Sequence, residues 1–192
     1  DILVVRIASV PEKRAEVRAA YLDRGRLSSE KGPEAKPHSK FEMYFSFSET
    51  IRSALEPKNS HRYLAMRRGW HEKELKLHLG GGPGDASFDE GLVASYEAWA
   101  SPSRVPEVSE ILLKAARIAC KAHVVPSIES EVHRLLRDVA DPAAIEVFAT
   151  NVRKLLLQAP FGSKAVLGID PGIRTGCKLA VVDASGKFVA HT

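Results

Sequence analysis

Apolar positions recur with a helical period over much of this chain, and the pattern changes to that of strands near residue 164. Beyond Phe88 about seventy residues predict helix. A first stripe follows Pro106, and Pro126 must break or kink the run because proline cannot donate to the helix ladder. Asp141 and Pro142 predict the cap and first turn of a further helix, which carries the strongest amphipathic stripe. Its members are Ile145, Phe148, Ala149, Val152, Leu155 and Leu156. Such stripes need apolar partners, so the pattern predicts a helix bundle.

The first fifty residues give weaker and partly ambiguous signals. Ser9-Val-Pro-Glu12 has the form of a capping box and predicts the start of a helix, with Gly25 as its left-handed end. Residues 28–40 are polar and aperiodic, which predicts a long loop. The segment FEMYFSFSE at 41–49 fits both the alternation of a strand and the stripe of a helix. Periodicity alone leaves these two alternatives open.

Clearer signals follow between residues 59 and 84. The sequence NSHRYLAMRRG at 59–69 predicts a helix that is capped by Asn59 or Ser60 and ended by Gly69. The sequence ELKLHL at 74–79 alternates as a strand does, and GGGPG ends it. The following LGGGPGD lacks the Lys-Ser/Thr pair of a phosphate-binding loop, so it predicts a flexible turn.

Three strands are predicted after Lys164. AVLGID is a nearly continuous apolar run, as in a strand that is covered on both faces, and CKLAVVD and FVAHT follow as partners joined by an ASGK turn. Asp170 would project from the end of the first strand, either towards a ligand or metal site or merely to open a Pro-Gly turn. Two-metal phosphodiester chemistry needs several carboxylates, and only Asp183 follows, in what reads as a hairpin tip. A sheet this small with uncovered faces folds poorly alone, which implies further chain or a partner surface.

Composition places the chain among soluble globular proteins of the cytoplasm. Its 192 residues are 44% hydrophobic and 27% charged, and no apolar run is long enough to span a membrane. Because the first residue is Asp rather than Met, the chain is expected to be a piece of a longer polypeptide. Cys120 and Cys177 are predicted to be buried free thiols. The net charge is +4, and residues 1–80 carry 16 Lys and Arg against 11 Asp and Glu, a bias compatible with nucleic-acid contact.

The basic stretch SHRYLAMRRGWHEK is the candidate nucleic-acid-binding segment. Arginine and tryptophan side chains can stack on bases, while arginine and lysine meet phosphates. The predicted contact residues are His61, Arg62, Arg67, Arg68, Trp70 and Lys73. The alternative is that Arg62 and Arg68 are structural and pair with acidic neighbours such as Glu49 or Glu72. The histidines show no paired spacing typical of a zinc site.

Several of these segments together resemble one protein family. GIDPGIRTGCKLAVVD, the preceding AIEVFATNVRKLLLQAP, and YFSFSE with SHRYLAMRRG further back are similar to the Tex family of bacterial transcription accessory proteins. The resemblance covers roughly residues 40–192, and residues 1–40 agree only in pattern. The RGWHEKEL segment departs from the family, which usually has a smaller polar or acidic pair at Trp70 and His71.

The resemblance implies a mainly α fold and a multidomain cytoplasmic protein. Residues 1–160 would form a multi-helix N-terminal part with helix-turn-helix-like elements and a small β hairpin. Residues 161–192 would form the first strands of a YqgF-type, RNase H-like α/β domain. Helix-hairpin-helix segments and an OB-fold RNA-binding domain would lie beyond this chain. The resemblance also favours a helix or an irregular turn for residues 41–49.

The resemblance further implies a non-catalytic, nucleic-acid-binding scaffold in transcription, without a cofactor or a membrane. Its partners would be RNA or DNA, bound mainly through domains outside this chain, and possible protein partners are RNA polymerase or ribosome-associated proteins. One alternative is a magnesium-dependent nuclease, because Asp170 matches a metal ligand of resolvase-type enzymes; its other ligands would lie beyond Thr192. The Tex family is generally regarded as lacking a complete nuclease site. The second alternative is a pure protein-interaction module.

Overall fold

The computed structural model describes residues 2–82, 84–100, 106–172 and 176–192. The chain is mainly helical and divides into two compact units, residues 1–148 and 149–192, each of which is described by itself. The helices are α1 (Ile2–Ala8), α2 (Pro11–Arg24), α3 (Ile51–Ala54), α4 (Ser60–His71), α5 (Ser87–Ala100), α6 (Pro106–Ile118) and α7 (Val125–Leu156). The strands are β1 (Arg26–Lys31), β2 (Ser46–Thr50), β3 (Leu75–Gly80), β4 (Val166–Gly172), β5 (Gly176–Val182) and β6 (Phe188–His191). Among the described residues, no helix combines the length and the apolar character that crossing a bilayer requires.

The first unit contains an antiparallel sheet in the order β2-β1-β3, which is one strand more than the small hairpin predicted. Strand β1 is central, and Leu27 lies opposite Glu49 on one side and Leu79 on the other. The prediction of a loop over 28–40 is therefore wrong for 28–31. Ser28 and Ser29 are buried because both neighbouring strands satisfy the backbone, and the Ser29 hydroxyl donates to the Tyr44 carbonyl at 2.6 Å.

Residues 41–49 divide between both predicted alternatives. A short 3₁₀ helix covers Glu42–Tyr44, and β2 follows from Ser46. The irregular turn favoured by the family resemblance is therefore found only at 42–44, and that expectation is wrong for 46–49. Residues 46–50 pair with residues 26–30 of β1, and this pairing gives the second half of the 41–49 segment its extended form.

Helix α2 begins and ends where the sequence predicts, at Pro11 and directly before Gly25, but neither cap has the predicted form. Its N-cap is Val10 without a side-chain bond, because the Ser9 hydroxyl instead donates back to carbonyls of α1. Gly25 has φ −65°, so it is not left-handed. Glycine is required there because a Cβ would clash with the Tyr21 carbonyl and lie 2.8 Å from Ile51 Cδ1.

Helix α4 and strand β3 confirm the predictions for 59–69 and 74–79. Helix α4 continues two residues past Gly69, which is buried against Leu75 instead of ending the helix. Asn59 makes no side-chain cap and donates instead to the Ser53 carbonyl at 3.0 Å. The largest fully buried side chains of this unit are Tyr21, Tyr63, Tyr96, Leu27, Ile51, Met66, Leu75, Ile128 and Leu136.

The long helical region beyond Phe88 is confirmed, and it is interrupted close to the predicted proline. A π-helical turn, Ala119–Val124, separates α6 from α7, and Pro126 lies in the first turn of α7. Helices α1 and α5 pack against α6, as a helical assembly predicts. Only the end of the α6 stripe near Ala115 is buried, whereas Val108 and Ile111 are exposed.

Pro142 does not begin a new helix, contrary to prediction. It lies inside α7, whose 32 residues run from Val125 to Leu156. Proline removes the bond to the carbonyl of Asp138, but Asp138 is exposed, so water can satisfy that oxygen. The predicted stripe beyond Pro142 is exposed rather than buried, with Phe148 at 69% and Leu155 at 65%.

The second unit contains an antiparallel sheet in the order β4-β5-β6. The three strands confirm the predicted ones, but β4 is exposed, with Ile169 at 59%, so the expectation of cover on both faces is wrong. Strand β4 continues through Asp170 to Gly172, so the Pro-Gly turn that the sequence predicts directly after Asp170 is not found there. Residues 173–175 lie outside the described residues. Cys120 is buried as predicted, whereas Cys177 is exposed, because β5 carries it on this uncovered sheet.

Candidate nucleic-acid interface

The six predicted contact residues lie on α4 or just after it, and two of them line the pocket that α4 forms with α7. Arg67 and Trp70 line one pocket, which the side chains of α4 and α7 form together. His61 is exposed elsewhere on α4. Arg62 pairs with Glu49 at 3.1 Å, and Arg68 with Glu72 at 2.9 Å. Glu49 and Glu72 are the two acidic neighbours that the sequence analysis named for the alternative in which Arg62 and Arg68 are structural.

Glu72 receives two cations at once. Lys40 and Arg68 both donate hydrogen bonds to its carboxylate, and these bonds hold the pKa of Glu72 below its usual value. Lys73 follows the helix with a left-handed φ of 57° and pairs with Glu34 at 3.1 Å. Arg68 and Lys73 are therefore committed to nearby carboxylates, although both remain well exposed.

The pocket has a volume of about 490 Å³ and a strongly basic lining. Residues three and four positions apart on α4 form one face of the pocket, and residues with the same spacing on α7 form the second face. The lining residues are Tyr63, Arg67, Trp70 and His71 from α4, and Ser130, His133, Arg134 and Arg137 from α7. None of these described lining residues is acidic.

Two contacts fix α4 against α7 at this pocket. The Tyr63 hydroxyl donates to the carbonyl oxygen of His133 at 3.1 Å and lies 3.3 Å from Nδ1 of the same residue. The indole of Trp70 is nearly parallel to the His133 ring, with an interplanar angle of 10° and centroids 6.0 Å apart. Deeper in the unit, Met66 of α4 and Val132 of α7 are fully buried. The pocket therefore stands on two helices anchored in the core.

The charges of the pocket are unbalanced. Arg67, Arg134 and Arg137 take part in no ion pair within the described part of the chain. Burial, and then the positive charge of Arg67, hold the pKa of His133 below its ordinary value, so this imidazole is neutral at pH 7. Three guanidinium groups that form no ion pair among the described residues therefore line this pocket, which favours an anionic ligand.

Arg134 and Arg137 are the site residues that the sequence reasoning missed. They lie about seventy positions after Arg67, so only the tertiary structure brings them near it. A signal was nevertheless present, because Ser130, His133, Arg134 and Arg137 fall at i, i+3, i+4 and i+7, a face of α7 beside the buried Ile128, Val132 and Leu136.

The other predicted candidate, Asp170, lies in the second unit. It occupies β4 opposite Lys178 of β5, on an exposed sheet. Asp183 forms the hairpin tip that its sequence predicts, accepting bonds from the Ser185 amide at 2.8 Å and the Lys187 amide at 3.0 Å. Over the described ranges, no group of three or more His, Cys, Asp or Glu residues is placed to hold a metal ion.

Comparison with known proteins matches nearly the whole chain to one family. Residues 1–148 match the family described as Tex central region-like, and residues 164–192 match the Tex protein YqgF-like domain. The chain belongs to the Tex family. The pocket residues all fall within the Tex central region match, and Asp170 falls within the Tex YqgF-like match.

Named relatives extend the Tex assignment. Protein tex of Bordetella pertussis is 34% identical over 98% of this chain, which spans 24% of that protein. Transcriptional accessory protein Tex of Neisseria gonorrhoeae is 38% identical over 78% of this chain and 19% of its own length. The human S1 RNA-binding domain-containing protein 1 is 28% identical over 87% of this chain and 16% of its own length. The chain therefore spans about a quarter or less of the curated relatives it matches.

Proposed function

We propose that this Tex-family chain is a nucleic-acid-binding part of a transcription accessory scaffold, in which it acts without catalysing a reaction. The observation that carries the proposal is the pocket of α4 and α7, where three arginines without an ion pair in the described structure surround a half-exposed indole. Guanidinium groups bind phosphate oxygens through paired N–H donors, and aromatic rings stack on bases. The names of the relatives, one a transcriptional accessory protein and one an S1 RNA-binding domain protein, agree with this role.

The proposal revises which predicted residues make the contacts. Arg67 and Trp70 remain central, and Arg134 and Arg137 join them. Arg62 and Arg68 hold acidic neighbours and mainly stabilise the first unit, so they contribute to the field of the surface rather than to direct phosphate contacts. RNA or DNA would be bound here as a secondary contact of the longer protein. RNA polymerase and ribosome-associated proteins stay predicted partners.

A salt titration of binding tests the proposal. A fluorescein-labelled 20-nucleotide RNA and the corresponding DNA are titrated with the 192-residue chain, and anisotropy is followed from 50 to 300 mM salt. The triple variant Arg67→Ala, Arg134→Ala, Arg137→Ala should bind more weakly at low salt. The slope of log affinity against log salt should fall by about 2, since each lost phosphate contact removes roughly 0.7 to 0.9.

The matched control removes the same charge elsewhere. Arg6, Arg24 and Lys114 are exposed cations outside the pocket, and their replacement by alanine lowers the net charge equally. For this control variant, the slope of log affinity against log salt should differ from that of the wild type by less than the contribution of one phosphate contact. An equal loss in both triple variants would show a diffuse charge effect and would defeat the assignment to the pocket.

A further inference from the structure

The geometry of the pocket points to a more specific ligand, single-stranded nucleic acid, with one unpaired base stacked on Trp70 and its flanking phosphates held by Arg67, Arg134 and Arg137. This inference rests on the proposed function and adds the strandedness of the substrate and the role of the indole. It concerns the pocket of α4 and α7, which lies entirely within the first unit.

Trp70 is held as a fixed platform rather than as a loose surface side chain. It lies in the last turns of α4, and its ring is nearly parallel to that of His133. His133 is itself placed by the bond of the buried Tyr63 to its carbonyl. With 48% of the tryptophan still exposed, half of its surface remains open to a ligand. A ring that is already fixed loses little conformational entropy when a base stacks on it.

The dimensions and chemistry of the pocket match one base with its phosphates. A volume of about 490 Å³ lies within the range of roughly 300 to 1,000 Å³ typical of small-ligand sites. The three arginines come from two helices, with Arg67 on α4 and Arg134 and Arg137 on α7, so both helices contribute cations to the pocket that the indole lines. His71 and Ser130 add polar groups to the lining.

The exposed indole distinguishes a single strand from a duplex. Bases within a duplex are stacked on one another and do not offer a free face, whereas unpaired bases stack readily on protein aromatic rings. Arginines alone would bind either form through phosphates. The combination of a fixed indole with surrounding guanidinium groups therefore favours a single strand.

Intrinsic fluorescence provides a direct test, because the chain has two tryptophans. Trp99→Phe leaves Trp70 as the sole indole; Trp99 lies on α5 and does not line the pocket. This variant is titrated with a 15-nucleotide single strand of mixed sequence and with the same sequence as a duplex, at one salt concentration. The single strand should quench Trp70 and bind about tenfold more tightly than the duplex.

Substitution of the indole completes the test. Trp70→Ala should weaken single-strand binding by about tenfold and remove the preference over duplex, in keeping with the usual contribution of base stacking. Trp70→Phe should retain most of the preference because it keeps an aromatic face. Circular dichroism shows that each variant is folded, so that a loss of binding reports on the pocket.

The outcomes separate this inference from the proposed function. Equal binding of single strand and duplex without any change in Trp70 fluorescence overturns base stacking but leaves the proposed function standing. Failure of both nucleic acids to bind at low salt overturns both. Polyglutamate, added at the same concentration of negative charges, is the competitor. If it displaces the single strand and quenches the fluorescence of Trp70 to the same extent, the inference is overturned and the pocket is assigned to an acidic protein segment.

Discussion

The hydroxyl of Tyr63 donates a hydrogen bond to the backbone carbonyl oxygen of His133, 3.1 Å away, and so ties α4 to α7. The two residues are seventy positions apart in the sequence, and both line the candidate pocket. The bond therefore connects the stability of the first unit to the shape of its binding surface. Disturbing it should be visible in both properties.

Replacement of Tyr63 by phenylalanine tests this bond. The ring stays in place, but the His133 carbonyl loses a donor, so the free energy of unfolding should fall by about 1 kcal/mol. Urea denaturation followed by circular dichroism measures the change. Tyr96→Phe is the matched control, because the buried Tyr96 hydroxyl has no hydrogen-bond partner within the described structure. That control should be neutral or slightly stabilising, and equal losses in the two variants would contradict the assignment.

Two helical glycines should respond in opposite directions to alanine. Gly69 of α4 is buried, and an added Cβ would lie 2.6 Å from Leu75 Cδ1 and 3.1 Å from Phe41 Cγ. Leu75 and Phe41 are themselves buried, so Gly69→Ala should destabilise the chain by roughly 1 to 3 kcal/mol through overpacking. Thermal or urea unfolding provides the measurement.

Gly91 supplies the control for that substitution. It is exposed on α5, and a Cβ there would meet no atom within 4 Å. Gly91→Ala should therefore stabilise the chain by roughly 0.5 to 1 kcal/mol, the ordinary gain in helix propensity. A stabilising Gly69→Ala would show that the contact between α4 and β3 is looser than the structure indicates.

His133 should make stability depend on pH below neutrality. Burial and the charge of Arg67 lower the pKa of His133 in the folded state, whereas in the unfolded chain it takes up a proton near about pH 6.5. The unfolded state therefore binds more protons as the pH falls through that value, and the folded state loses stability. The advantage of the wild type over His133→Gln should shrink between pH 7.5 and 5.

Glu131 should contribute to stability through two arginines of α2. Arg18 donates to its Oε2 from Nε at 2.8 Å and from Nη2 at 2.6 Å, and Arg14 donates to Oε1 at 3.2 Å. Burial acts to raise the pKa of Glu131, but the hydrogen bonds and charges of both arginines outweigh it and hold that pKa below its usual value. Glu131→Gln should lower the free energy of unfolding by about 1 kcal/mol at pH 7.

The pH dependence of this substitution has a definite sign. Because the folded pKa of Glu131 is depressed, the stabilisation is present above the unfolded value of about 4.3 and is lost as the pH falls through the folded pKa. The difference between wild type and Glu131→Gln should therefore diminish in acid. The control Glu110→Gln, at an exposed position of α6, should leave the free energy of unfolding at pH 7 unchanged.

Elements that depend on their own side chains could be predicted from the sequence. Helix α4 and strand β3 follow from the period of their apolar residues. Strand β1 could not be predicted, because Ser28 and Ser29 are polar and become buried only through pairing with two distant segments. The prediction at Pro142 was wrong for a related reason: α7 continues through this proline, at a place where Asp138, whose carbonyl loses its bond, is an exposed residue.

Only the half of the candidate site that lies on α4 could be predicted from the sequence. Arg67 and Trp70 stand close together in the sequence, and the chemistry of this short basic segment indicates nucleic-acid binding. The other half required knowledge that α7 packs beside α4, which no local pattern supplies. The pairing of Arg62 with Glu49 was one of the predicted alternatives, although the pattern left β2, the strand that carries Glu49, undecided.

The bond between Arg18 and Glu131 joins residues 113 positions apart in the chain. A ribosome adds roughly 5 to 20 residues per second, so Arg18 is made about 6 to 23 seconds before its partner carboxylate. Throughout that interval α2 lacks its contacts from α7. The rate of synthesis, and any chaperone that binds the nascent chain at the exit tunnel, should therefore influence the yield of correctly folded protein. Their influence should exceed that of the free energy of unfolding of the finished chain.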